Sequence, residues 1–192
     1  CSMNVVTKCW RVCSPSLIKE HLKLIIQRFD NYINGANTKG NFLLAINTFL
    51  CGITVANYSK FKELIISNDD LIYLNSLLVV LVILSICATF FVLKAVYPFV
   101  LSGNSSKESY HSNIFFNSVA EFSDGKEYHK SIQNQKEENV DEDMAIQAFY
   151  LAKGLKSKYR FLEIAMSFVY GELLILLLLL IGRLPLVFKV LT

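Results

Sequence analysis

Leu71 to Leu93 reads LIYLNSLLVVLVILSICATFFVL and contains no charged residue. A helix rises ~1.5 Å per residue, so this run can cross the ~30 Å hydrocarbon core of a bilayer. Lipid tolerates only backbone that satisfies its own hydrogen bonds, so the run must be helical there. Asp69 and Asp70 bound it on one side. Lys94 bounds the other, with Tyr97 beside it as an interfacial aromatic. A helix in a soluble core rarely needs so long an uncharged stretch.

Composition agrees. Only 18% of the 192 residues are charged and 53% are hydrophobic, whereas ordinary soluble domains carry about 25% charged residues. The net charge of +3 is too weak to argue for a nucleic acid polymer as partner. The five cysteines (Cys1, Cys9, Cys13, Cys51 and Cys87) have no framework spacing. Cys51 and Cys87 lie in apolar runs, where thiols behave as small hydrophobes. Cys9 and Cys13 read as inert thiols, with acylation near a membrane as the alternative. The first ten residues lack an apolar core, so no cleaved signal peptide is expected.

A second charge-free run, Gly40 to Ser59, lies between Lys39 and Lys60. It is about as long as a span requires. Asn47, Thr48 and Thr54 make it more polar, and polar groups at that depth hydrogen-bond a neighbouring helix. The connector to the central run, residues 60–70, has room for a turn and no domain, so the two runs form an antiparallel hairpin. Upstream, Ser14-Pro15 reads as N-cap and first helical residue. From there Ile18, Leu22, Ile25, Phe29, Tyr32 and Ala36 form an apolar seam. Such a seam needs another helix or a second protomer, and a homo-oligomer is the expectation.

Residues 102–139 are polar and read as loop plus one or two short helices. Glu137, Glu138, Asp141, Glu142 and Asp143 then open a long helix, where carboxylates suit the dipole. It continues into a third apolar run, Phe161 to Ile181. The first forty residues hold Lys8, Arg11, Lys19, Lys23, Arg28 and Lys39 against Glu20 and Asp30. Residues 94–160 are basic at both membrane-proximal ends. The N-terminus and residues 102–160 are therefore placed in the cytosol, and the connector and C-terminus outside.

These elements predict an all-α membrane protein: about three transmembrane helices, long cytosolic helical extensions and a small cytosolic helical unit. The expected division is a tail and amphipathic helix at 1–39 and a transmembrane hairpin at 40–101, with spans at about 40–59 and 71–93. A cytosolic sensor region at 102–160 follows, then a third span with a short C-terminus at 161–192. The third run carries one acid, Glu172. At ~1.5 Å per residue it lies about 18 Å beyond Arg160, near the bilayer middle. It reads either as a pore-lining or oligomer-interface acid, or as a protonated side chain hydrogen-bonded to Asn47, Thr48 or Ser85.

Two groups of motifs carry a resemblance. One is Arg28-Phe29-Asp30 with the ANTKGNFLLAIN stretch ending at Asn47. The other runs through Ile114-Phe115-Phe116, Glu127-Tyr128, Asp143 and Gln147, Leu151-Ala152, and Lys158-Tyr159-Arg160-Phe161-Leu162. In this order, over about residues 28–180, the chain resembles the transmembrane effectors of the Pycsar antiphage systems. The family usually has Asp where this chain has Asn37. The resemblance implies a dormant effector in the bacterial inner membrane. A partner nucleotidyl cyclase would supply a cyclic nucleotide (cUMP, cCMP or another), and the effector would then disrupt or depolarise the membrane, aborting infection.

A cyclic nucleotide needs a base platform and a cation for its phosphate. Aromatic faces stack bases for ~1–3 kcal/mol each, and Arg or Lys meets phosphate. The candidate ligand residues are Arg28, Lys39, Phe115, Phe116, Tyr128, Lys158, Tyr159 and Arg160. Each also has a plainer reading: Phe115 and Phe116 as core of the cytosolic unit, Lys158 and Arg160 as interfacial anchors. Catalysis is not expected. His21, His111 and His129 have no metal spacing, and no nucleophile triad, P-loop or dinucleotide glycine pattern is present. No cofactor and no metal are expected. Two other functions fit the same spans: a small channel or holin-like pore without nucleotide control, and a structural membrane partner of a cytosolic protein.

Overall fold

The structure is a computed structural model and describes residues 15–63, 68–97 and 112–181. The expectations on Cys1, Cys9, Cys13, Ser14 and His111 fall outside those residues, as do 64–67, 98–111 and 182–192. Every regular element described is a helix: α1 (Pro15–Ala56), α2 (Tyr58–Glu63), α3 (Asn68–Val96), α4 (Phe116–Val119), α5 (Gly125–Gln133) and α6 (Glu137–Ile181). Three of them, α1, α3 and α6, are long and apolar enough to cross a membrane.

The chain divides into two compact units: Cys1–Asn34 with Pro98–Lys156, and Gly35–Tyr97 with Ser157–Thr192. The second contains the three apolar runs and packs in layers. Ala36, Ala95 and Leu162 form one layer. Leu43, Ala88, Val92, Ala165 and Val169 form the next. Leu74, Leu81, Ile175 and Leu179 form the third, with Cys51 packed against them. Residue numbers rise along α1 and α6 while they fall along α3, so α3 runs antiparallel to both. Helices α1 and α3 thus pack as an antiparallel pair, and α6 completes a three-helix bundle.

Lipid is as apolar as leucine, so close packing rather than water exclusion holds such helices together. Gly40 is where this matters most. A Cβ there would stand 2.7 Å from Val96 Cγ2. Ala36 and Gly40, four residues apart, give α1 a small face that lets α3 approach. Phe91 stacks on Phe168 at 5.6 Å and fixes the α3–α6 spacing one layer further on.

The first apolar run ends earlier than expected. α1 stops at Ala56, Asn57 is a turn, and Tyr58 already belongs to α2. The Asn57 side-chain amide donates to the Ile53 carbonyl at 2.7 Å, offering that helix-end acceptor a second partner. Tyr58 then donates to Asn75 Oδ1 at 2.9 Å and ties α2 to α3. The polar side chains Thr48 and Thr54 bond the carbonyls of Leu44 and Leu50 one turn back, so they burden the span little.

In the other unit α4 and α5 are the short helices expected. Asp124 caps α5 by accepting from the Glu127 N–H at 2.7 Å. Glu127 reaches back to the N–H and hydroxyl of Ser123. This exchange resembles a capping box, displaced by one residue.

Candidate functional site

Three buried polar groupings stand out. The first lies where α3 ends. Lys158 of α6 is 5% exposed, and its ammonium donates to the carbonyls of Ala95 at 2.7 Å, Val96 at 3.3 Å and Tyr97 at 3.1 Å. It also donates to Asn37 Oδ1 at 3.1 Å. A helix C-terminus leaves carbonyls without intrahelical partners and carries partial negative charge. A compact ammonium with three hydrogens suits that cluster better than a flat guanidinium. Burial pushes the Lys158 ammonium below the usual lysine range, while the four oxygens hold the proton in place. Lys39, two residues after Asn37, lies 5.6 Å over the Tyr159 ring.

The second grouping sits mid-span. Asn47, Ser85 and Glu172 are all buried, at 1%, 7% and 0% exposed. Asn47 Nδ2 donates to the Ser85 carbonyl at 3.1 Å and to Thr89 Oγ1 at 2.9 Å. Among the described residues, Asn47 Oδ1 and both Glu172 oxygens have no hydrogen-bond partner. The hydrogen-bonded reading of Glu172 is therefore not what the bundle shows. Thr48 is exposed and bonds Leu44 instead. Nor does Glu172 point at another protomer, because the three helices of its own unit enclose it. A carboxylate there, charged and alone, would cost about 3 kcal/mol or more.

The third grouping is in the other unit. Ser112 donates to Asp143 Oδ1 at 2.7 Å, and the Asn113 N–H donates to Asp143 Oδ2 at 2.9 Å. The Ser112 hydroxyl accepts from Gln147 Nε2 at 3.1 Å and from the N–H groups of Ile114 and Phe115. Tyr128 donates to the Asn113 carbonyl at 2.9 Å and Ser131 to Asn113 Oδ1 at 3.1 Å. The network pins residues 112–115 between α5 and α6. It leaves the Ser118 hydroxyl as the one buried side-chain polar atom without a partner among the described residues of this unit.

The eight candidate ligand residues fall four in each unit. Arg28, Phe115, Phe116 and Tyr128 belong to one, and Lys39, Lys158, Tyr159 and Arg160 to the other. Arg28 lies on the surface of α1, donates Nε to Tyr32 at 3.0 Å and sits 5.7 Å over its ring. Phe116 is 65% exposed, which corrects its plainer reading as a core residue; Phe115 is half-buried against it at 4.9 Å. Lys158 and Tyr128 give their polar groups to backbone carbonyls. Lys39 and Tyr159 border an apolar groove of about 700 Å³ between α1 and α6. Arg160 is exposed. The clamp around Lys158 was missed in the sequence, although the small pair Ala36 and Gly40 beside it marks where α1 packs tightly.

These features define a membrane protein of three span-capable helices that carries a small polar helical unit and a mid-span acid. No solved structure matches the chain. The model of the Pycsar effector protein domain matches residues 21–183, and the chain belongs to that family of antiphage effectors. It is also 29% identical to the Pycsar effector protein EcPycTM of Escherichia coli, over 79% of this chain and 84% of the relative. The match spans both units.

Proposed function

We propose that this protein is an antiphage effector of the bacterial inner membrane, controlled by a cyclic nucleotide from a partner cyclase and acting by depolarisation. The family match over residues 21–183 carries this reading, since it covers the three apolar helices and the polar unit together. The N-terminus and residues 102–160 face the cytosol, where the nucleotide is made. The effector works as a homo-oligomer. In this reading the effector acts without catalysing a reaction.

Tyr128 and Lys158 are already engaged with backbone carbonyls. Taken unit by unit, the polar unit offers Phe115 and Phe116 as stacking faces and Arg28 as a phosphate partner, and the membrane unit offers Tyr159 with Lys39 and Arg160. Helices α1 and α6 belong to both units, so a change at the ligand is passed to the spans along the chain.

Co-expression with an active or a catalytically dead cyclase tests the reading. Depolarisation, followed with a potential-sensitive dye, is expected only with the active cyclase. An unchanged potential in both cases and during infection would overturn it. Calorimetry with cUMP and cCMP identifies the ligand. Phe116→Ala is expected to weaken binding about 5- to 150-fold, the range of one lost stacking contact.

A further inference from the structure

The mid-span grouping has a chemical imbalance that the proposed function does not use. Val169 packs in the layer of Leu43, Ala88 and Val92, and Ile175 in the layer of Leu74 and Leu81. Glu172 lies between those layers on α6. Ser85 lies between Ala88 and Leu81 on α3, and Asn47 between Leu43 and Cys51 on α1. The three polar residues therefore share one level of the bundle.

At that level the Asn47 orientation is determined. Its amide nitrogen must face the Ser85 carbonyl, which can only accept, and its other N–H faces Thr89 Oγ1. No Asn47 donor remains for Glu172. What remains is Asn47 Oδ1 and two carboxylate oxygens, all buried acceptors without donors. Buried acceptors at one level without donors, in a place where water and lipid headgroups are far away, call for positive charge. One carboxylate and neutral oxygens match a single charge; a divalent ion calls for more acidic ligands.

We propose that Glu172, with Asn47, forms an intramembrane site for a monovalent positive ion. In the closed bundle the Glu172 carboxyl carries a proton and is neutral. When the helices separate, an alkali cation takes the proton's place, and the depolarising current passes over this level. The inference rests on the depolarisation reading and gives it a carrier and a selectivity.

Cells co-expressing the full chain and its active cyclase provide the test. Potassium release is read with an electrode, proton entry with an internal pH dye, and anion passage by replacing external chloride with gluconate. Wild type is expected to pass cations and to be insensitive to the replacement. Glu172→Gln is expected to cut cation flux at least 10-fold. It removes the ionisable group while keeping the shape, so it should still fold and insert, checked by membrane fractionation and size-exclusion in detergent. Glu172→Asp keeps the charge and is expected to retain cation selectivity. The arms for potassium and protons decide which ion dominates. Equal flux and selectivity in wild type and Glu172→Gln would overturn the site while leaving depolarisation intact. No cyclase-dependent flux in wild type would overturn depolarisation itself, and this inference with it.

Discussion

Apart from the Ser118 hydroxyl of the polar unit, the two units handle buried polarity in opposite ways. In the polar unit, Asp143, Ser112 and Gln147 are nearly inaccessible, and each is answered by a partner in the same chain. In the membrane unit, Glu172 and Asn47 Oδ1 are just as inaccessible and unanswered. Buried polar groups almost always find partners, because leaving one unmet costs about 1–3 kcal/mol. A satisfied network holds a shape. An unsatisfied set of acceptors marks a place where the fold gives up stability. The Lys158 clamp lies in the same unit as the acceptors and is fully satisfied, so the deficit is confined to one level.

The clamp gives the largest stability effect. Lys158→Met removes one ammonium and leaves three carbonyls of the α3 end in an apolar surround. A loss of about 3–5 kcal/mol is expected, by analogy with breaking a buried charged pair. Thermal unfolding in detergent reads it. Lys158→Arg should recover less than half, since a planar fork cannot converge on the same oxygens. An unchanged midpoint for Lys158→Met would mean that the α3 end is held by something else, and the contrast between clamp and mid-span would fail.

In the polar unit, Asp143→Ala strips Ser112 and the Asn113 N–H of their acceptor. About 2–4 kcal/mol is expected, from one unmet buried hydroxyl and one unmet amide. Hydrogen exchange should rise around residues 112–131 and not within α3. Equal exchange increases in both units would show that they do not unfold separately, and would blur the comparison.

A smaller effect is expected at Gly40. The Cβ of Gly40→Ala meets the tip of the Val96 side chain at 2.7 Å, a group that can shift. A cost of about 1–2 kcal/mol is typical of overpacking. Val96→Ala in the same chain should recover most of it. A double mutant no better than Gly40→Ala would place the strain in the backbone rather than in Val96.

Much of this was legible in the sequence because it depends on runs and periods. The charge-free stretch Leu71–Leu93 lies within α3. The acidic start at Glu137 does open a helix that continues unbroken through Gly154 to Ile181. Glu172 was found by depth alone. What sequence could not show is who meets whom across the bundle. Lys158 looked like an interfacial anchor because its carbonyl partners are more than sixty residues away in the chain. Asp143 looked like one more carboxylate of a helix start, and only the folded loop at 112–113 makes it an acceptor. Phe116, hydrophobic and next to Phe115, looked like core; the α4 turn faces it outward.

The smallest effect is expected at Asn37. Asn37 accepts from Lys158 at 3.1 Å and is half-buried. Asn37→Asp would put a carboxylate at that distance, and a charge-assisted bond is roughly twice as strong as a neutral acceptor's. Partial burial taxes the new charge, so the gain should be only about 0.5–1 kcal/mol. That corresponds to about 1–4 °C in the melting midpoint of a chain this long. The sign depends on Lys158 being charged. With Lys158→Met in place, Asn37→Asp should destabilise instead, because the carboxylate would then face only carbonyl oxygens. A double-mutant cycle measures that reversal directly. If Asn37→Asp changed stability equally in both backgrounds, Lys158 would not be the positive centre of the clamp, and the distinction between a satisfied helix end and an unsatisfied mid-span would lose its better-defined half.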